Sequence, residues 1–279
     1  LLILGARKEG DKHQLTGRTV SFTSKDLNHW DFQGDFWAPD LFTMHEMPDL
    51  FRMGDWWYLI TTEYSHSCKM IYRMSKSLKG PWIAPEDDAF DGRAYYAGRS
   101  FCQNGHRILF GWVPTRASED DKSEFVWGGT YMAHEIYQRP DHTLGVKAPD
   151  TVWNAFSNQQ VLSPCKLCGI SSQTGSVLVR NTSDLYSFEA DLVFSEGTRS
   201  FGLQLYRDDT SGRCYEYTFS VCENRFLFDK VPNWPWPTID NRGLERPISL
   251  QPGKTYHIRL IVDDTIATLY VNGVALNVR

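Results

Sequence analysis

At 279 residues the chain is long enough for one large or two ordinary domains. Its net charge of −5 argues against a nucleic-acid surface, and no run approaches the ~18 apolar residues of a membrane span. Ten tryptophans within an aromatic content of 14% supply flat faces that serve first as β-core and second as platforms for sugars.

In chain order, residues 1–7 read as an apolar strand entered mid-element, with no initiator Met and no signal-peptide pattern. A polar loop leads to a second strand over 18–24 and then to Ser24-Lys25-Asp26-Leu27-Asn28-His29-Trp30. Next comes Met44-His45-Glu46-Met47-Pro48-Asp49-Leu50-Phe51, a carboxylate between a histidine and a thioether, followed by Pro-Asp. Pro48 fixes its own φ and predicts extended geometry at Met47, which puts Glu46 on a rigid extended segment. In such a strand the odd spacing places Asp49 on the face opposite Glu46. A carboxyl set among apolar and aromatic groups is one way a protein prepares a general acid. The plain alternative is a loop glutamate, with Asp49 capping a turn.

Strands over 57–64 and 69–75 follow, then Ser75-Lys76-Ser77-Leu78-Lys79-Gly80-Pro81-Trp82. The two Ser-Lys-x-Leu tetrads lie about 50 residues apart. A strand over 107–112, its partner over 129–138 and the turn Pro140-Asp141 make a third copy. A period of ~40–50 residues built from short strands is a propeller-blade signature. Three copies cannot close a ring of four to eight blades, so the repeat predicts further blades before Leu1.

After Pro149 the pattern changes. Residues 151–156 read as a short, helix-like connector. Alternating strands are predicted over 187–194, 200–206, 215–221, 226–231, 255–262 and 266–271, within a region that begins at about Gln160. A closing hairpin turns at Asn272-Gly273, and the chain stops soon after. This spacing predicts an all-β sandwich. The division is therefore 1–150 for the propeller part, 151–159 for a linker and 160–279 for the sandwich. Trp234-Pro235-Trp236-Pro237 reads as a rigid loop, packed through its prolines or offered to a sugar. Six cysteines include the lone pair Cys165-Lys166-Leu167-Cys168. No second pair or histidine stands at zinc-ligand spacing, so free thiols come first and a disulfide second.

The stretch around Glu46 resembles a motif of glycoside hydrolase family thirty-two, the invertases, inulinases and levanases. That family carries Trp-Glu-Cys-Pro-Asp-Leu-Phe, with the Glu as acid/base. Here Glu46, Pro48, Asp49, Leu50 and Phe51 match, with His45 for Trp and Met47 for Cys. Gly5-Ala6-Arg7, Asp91-Gly92-Arg93-Ala94-Tyr95-Tyr96-Ala97, Gly111-Trp112 and Trp127-Gly128-Gly129 resemble further blade segments of the family.

The resemblance implies a five-bladed propeller joined to a β-sandwich, with about blades three to five in this chain. It implies retaining hydrolysis of β-fructosides (sucrose, fructo-oligosaccharides or fructan) by two carboxyls about 5–5.5 Å apart, and it calls for no metal and no organic cofactor. Glu46 would be the acid/base. The family's nucleophile is the Asp of Asn-Asp-Pro-Asn, and its transition-state stabiliser is the Asp of Arg-Asp-Pro. Neither motif occurs here, and family order places both before Leu1. These 279 residues alone are therefore expected not to hydrolyse fructosides. His45, Asp91, Tyr95 and Trp112 are the candidate sugar contacts, each with a packing alternative. Asp49 and Glu63 read as structural. The partner implied is a sugar, with oligomeric state open. Two other readings stand beside this one: a non-catalytic carbohydrate-binding protein on the same fold, and a five-bladed arabinosidase or xylosidase.

Overall fold

The computed structural model describes residues 1–10, 13–64, 68–93, 95–169, 174–232 and 240–279. The first half is three antiparallel meanders. β1 (Leu2–Arg7), β2 (Gly17–Thr23) and β3 (Asp31–Trp37) form the first sheet. β4 (Met44–Met53), β5 (Trp56–Tyr64) and β6 (Met70–Ser75) form the second. β7 (Tyr96–Gln103), β8 (His106–Arg116), β9 (Phe125–Gln138) and β10 (Leu144–Lys147) form the third. Sequential neighbours pair throughout, as in propeller blades. Two of these sheets carry three strands rather than four. In the second, the place of a fourth strand is held by the isolated bridges Met74↔Ile83 and Ile71↔Ala89. Pro81 and Pro85 flank Ile83 and offer no N–H to a ladder, so the pairing stays at single bridges.

The first strands of the three sheets lie together. β1 meets β4 so closely that a Cβ on Gly5 would fall 1.8 Å from the His45 carbonyl oxygen. Only glycine permits that approach. β4 is not evenly extended. Glu46 pairs with Thr62 and Asp49 with Ile60, so two residues face one across a bulge, and Met47 takes φ +51°. This corrects two expectations for the stretch. Met47 is left-handed rather than extended. Because Thr62 and Ile60 share a face of β5, the extra residue also brings Asp49 onto the same face as Glu46. β7 repeats the device 50 residues on, with a shift between Tyr96 and Arg99 and φ +52° at Ala97.

Helix α1 (Asp150–Trp153) leads out of the third sheet. No strand occupies 154–169 or 174–184, so the strands of the second half begin at Leu185 and not near Gln160. They are β11 (Leu185–Val193), β12 (Ser200–Leu205), β13 (Cys214–Ser220), β14 (Arg225–Val231), β15 (Glu245–Pro247), β16 (Thr255–Asp263), β17 (Ile266–Val271) and β18 (Val274–Val278). Two four-stranded sheets result, β11-β16-β17-β18 and β12-β13-β14-β15. Between them lies a core that includes Tyr217, Phe219, Phe226, Ile258, Leu260 and Leu269. Asn272 and Gly273 take φ +48° and +77° between paired Val271 and Val274, the two-residue turn that Asn-Gly favours. The Trp234–Pro237 loop lies outside the described residues.

β17 and β18 are buried at every position. Period two explains it. Leu269, Val271, Val274 and Leu276 enter the sandwich core, while Tyr270 and Ala275 enter a second core with Tyr95, Leu109 and Ile136 of the first half. The sandwich thus backs the second and third sheets through a shared apolar interface.

Candidate active site

Glu46 stands half-buried on β4, beside the first strand of the third sheet. The Thr61 hydroxyl donates to its backbone carbonyl at 3.0 Å, which ties the bulge to β5. The Tyr96 hydroxyl donates to Glu46 Oε2. Burial, the bond to Glu46 and that carboxylate's charge push the Tyr96 phenol far above its ordinary pKa. It therefore stays protonated and acts as a fixed donor. Tyr96 is 6% exposed, and its ring lies 4.6 Å from Trp127 and 6.4 Å from Trp112. Trp127 in turn packs on Phe125 at 5.0 Å, and the Arg116 guanidinium covers Phe125 at 3.5 Å. Burial pushes the Cys68 thiol up, and the Glu63 and Glu46 carboxylates add to it, so that cysteine is held neutral beside the site. The arrangement is one carboxyl, oriented by one phenol, at the rim of an aromatic wall.

The bulge decides which side chains reach this place. Asp49 is turned onto the Glu46 face but is consumed there, accepting from the Ser100 N–H at 2.9 Å and the Ser100 hydroxyl at 2.5 Å. Arg99 donates to the Pro48 carbonyl at 2.5 Å, so β7 holds both shoulders of the bulge.

Three of the four proposed sugar contacts lie elsewhere. His45 is 0% exposed, stacked on Trp37 at 4.6 Å with Nδ1 3.3 Å from the Thr19 hydroxyl. As the neighbour of Glu46 in a strand it points to the other face. Burial first, then the Arg73 and Arg18 charges, push its pKa down to about 4, so it packs as a neutral ring. Asp91 is 1% exposed and fully engaged, accepting from His134 Nε2 at 2.8 Å and from the Gly92 and Asn277 N–H groups at 2.6 Å. Its carboxylate joins the third sheet to β18 rather than meeting a sugar. Tyr95 is core, its hydroxyl donating to the Leu109 and Met132 carbonyls. Trp112 alone stays near the site, half-buried, across the ladder from Tyr96.

The residue missed was Tyr96. Its signal was present: it stands 50 residues after Glu46, at the same place in the repeat. The grouping of His106, Glu135 and Asp150 resembles a metal-ligand set, but the Lys147 ammonium lies 3.4 Å from Glu135 and 3.2 Å from Asp150 and already supplies the cation. None of the six cysteines is in a disulfide.

Comparison with known proteins bears on the fold and the family of the first half. Residues 2–135 match the family described as the Glycosyl hydrolases family 32 N-terminal domain. The chain is 22% identical to a sucrose-6-phosphate hydrolase of Escherichia coli, covering 97% of this chain and 56% of the relative. The fold is similar to the sucrose-6-phosphate hydrolase of Lactobacillus gasseri, with TM-score 0.73, 17% identity, and coverage of 99% of this chain and 58% of that one. It is also similar to the exo-inulinase of Aspergillus awamori, with TM-score 0.69, 11% identity, and coverage of 93% and 56%.

Proposed function

With residues 2–135 matching the family 32 N-terminal domain as premise, we propose that this chain carries the acid/base half of a retaining β-fructoside hydrolase. The observation that carries the reading is Glu46: a carboxyl on a bulged first strand, oriented by a phenol that cannot ionise, and placed in the Glu-x-Pro-Asp-Leu-Phe motif. Tyr96 holds Glu46 Oε2, and Oε1 is the oxygen that would serve the substrate. Protonated, Glu46 donates to the departing glycosidic oxygen. Ionised, it then takes the proton of the water that opens the fructosyl-enzyme. Tyr96 orients the carboxylate in both steps, and Trp112 and Trp127 flank the sugar.

The partner carboxylate is proposed to come from outside these residues. Asp49, on the Glu46 face, is committed to Ser100, and Asp91, away from the site, to His134. The chain also spans 56% of the Escherichia coli relative's length. Sucrose-type and fructan-type substrates are both within the reading, since relatives named for sucrose-6-phosphate and for inulin share the fold.

The test is Glu46→Gln in a chain extended to include the missing carboxylate. Sucrose turnover should fall by ~10²-fold or more. Fructosides with good leaving groups should be spared in the first step, and azide should rescue the second. Unchanged sucrose turnover removes Glu46 from the mechanism. The 279-residue chain, assayed beside the extended one, should release no fructose from sucrose or inulin. Binding without hydrolysis by both chains would favour a carbohydrate-binding protein instead.

A further inference from the structure

Tyr96 opens β7, and the segment before it, residues 87–93, is a bent strap between two bodies. Its groups bond to both sides. Asp88 accepts from Arg73 at 2.6 Å, and Phe90 packs on Tyr72 at 5.3 Å, both toward the second sheet. Ala89 bridges to Ile71 of the second sheet, and Asp91 meets His134 of the third, yet Asp87, Ala89, Asp91 and Arg93 each also bond to the sandwich. Arg246, on β15 and 1% exposed, donates through Nη2 to both oxygens of Asp87 at 2.8 Å and to the Ala89 carbonyl at 2.7 Å. Its Nη1 donates to the Ala275 carbonyl at 3.1 Å, which fixes the guanidinium to β18. Asp91 accepts the Asn277 N–H at 2.6 Å. The Arg93 N–H donates to the Gly243 carbonyl at 2.8 Å, and its guanidinium donates to the Arg242 and Asp240 carbonyls at 2.7 and 3.0 Å. A Cβ on Gly92 would lie 2.7 Å from the Leu276 side chain, so the strap lies flat on the sandwich.

We propose that the sandwich sets the position of the Tyr96 hydroxyl on Glu46 through this strap, with Arg246 as a positioning residue. A buried guanidinium bonded through both terminal nitrogens is a stiff tie, because its loss leaves a carboxylate and two carbonyls without this donor. Every odd residue from 87 to 93 is tied, and Tyr96 follows three residues after the last tie. The strap therefore enters β7 at a height that the sandwich dictates. A phenol held in this way meets a carboxylate within the range of distance and angle that a hydrogen bond demands. The catalytic consequence rests on reading Glu46 as the acid/base; the mechanical link does not.

The test needs no substrate, so its failure is distinct from failure of the hydrolase reading. The 279-residue chain is prepared with ¹³C in the tyrosine rings, and the Tyr96 resonance is identified by its loss in Tyr96→Phe. Glu46→Gln shows where that resonance moves when the carboxylate is neutralised. Arg246→Met should carry it most of the way to that position, and Asp87→Asn should carry it in the same direction by less. Arg246→Lys, which keeps the charge but not the fork, should fall between wild type and Arg246→Met. A tie that only stabilises the interface would lower the unfolding midpoint and leave Tyr96 where it was. That result, with the sandwich-core resonances of Tyr217 and Tyr256 at their native positions, overturns the proposal. If Arg246→Met loses those native positions as well, Asp87→Asn decides the matter, and an unmoved Tyr96 resonance in it overturns the proposal equally.

Discussion

The two halves of the molecule use the same element in opposite ways. Among the described residues, the ladders of the sandwich run from end to end without a shift, as in the nine consecutive pairs of β11 and β16. The register shifts all fall in the first half, at β2–β3, β4–β5, β7–β8 and β8–β9. A regular ladder sends alternate residues to fixed faces, which suits a sheet that must feed two cores at once, as β17 and β18 do. A bulge re-aims one residue and ends the alternation locally. Glu46 and Tyr96, the two groups that meet at the candidate site, each stand at such a bulge. Regularity builds the support, and the interruptions present the chemistry.

The strongest way to break the comparison is to straighten β4. Deleting Pro48 removes the extra residue, so Asp49 and all that follows shift by one relative to Glu46. Hydrolysis of sucrose by an extended, active chain should fall by well over ~10²-fold, since even small misplacement of a reacting group costs about that much. Amide exchange in the sandwich should be unchanged. A deletion variant with normal activity would show that the bulge serves packing alone.

Acid should also separate the halves. His45 is buried in the first half with its pKa held near 4, against an ordinary value of 6.5. A depressed pKa gives stability that is fully present above 6.5 and is lost as pH falls toward 4, because only the unfolded chain takes up the proton in that window. The gap amounts to about 3 kcal/mol. Urea unfolding at pH 7 and pH 4.5 should show this loss in the wild type and a much smaller one in His45→Gln. Amide exchange should place the weakening in β1 to β6 rather than in the sandwich.

Two tyrosines sharpen the contrast further. Tyr96→Phe removes the donor to Glu46 and should cost about 1.5–3 kcal/mol in transition-state stabilisation, read as a loss in kcat/KM of roughly ten- to a hundredfold. Tyr217→Phe removes a buried hydroxyl that donates to the Ala267 and Leu276 carbonyls. It should cost about 1 kcal/mol of stability and leave kcat/KM alone. Equal effects of the two on activity would mean that Tyr96 is only core.

The smallest effect concerns the turn that lets β18 return along β17. Asn272→Ala should cost about 1 kcal/mol, since alanine tolerates the left-handed φ of +48° less well than asparagine does. A thermal midpoint shifted by more than a few degrees would mean that the turn also holds the Arg139 contact to the Gly273 carbonyl.

Much of this was legible in the sequence. An apolar run marked the strand at 57–64, and alternation those at 200–206 and 255–262, each within a residue or two. Asn272-Gly273 named its own turn, and the Glu-x-Pro-Asp-Leu-Phe motif named the candidate acid. Tertiary structure decided the rest. The sequence places Asp49 three residues from Glu46; whether they share a face depends on a bulge that only pairing with β5 reveals. Asp91, Tyr95 and His45 are types that bind sugars on a surface, and burial turned each into a strut. Tyr96 became a partner of Glu46 because the second and third sheets pack side by side, which joins residues 50 apart. Local patterns depend on neighbours in the chain and can be read from it. Which polar group is left for chemistry depends on which have been used up by neighbours in space.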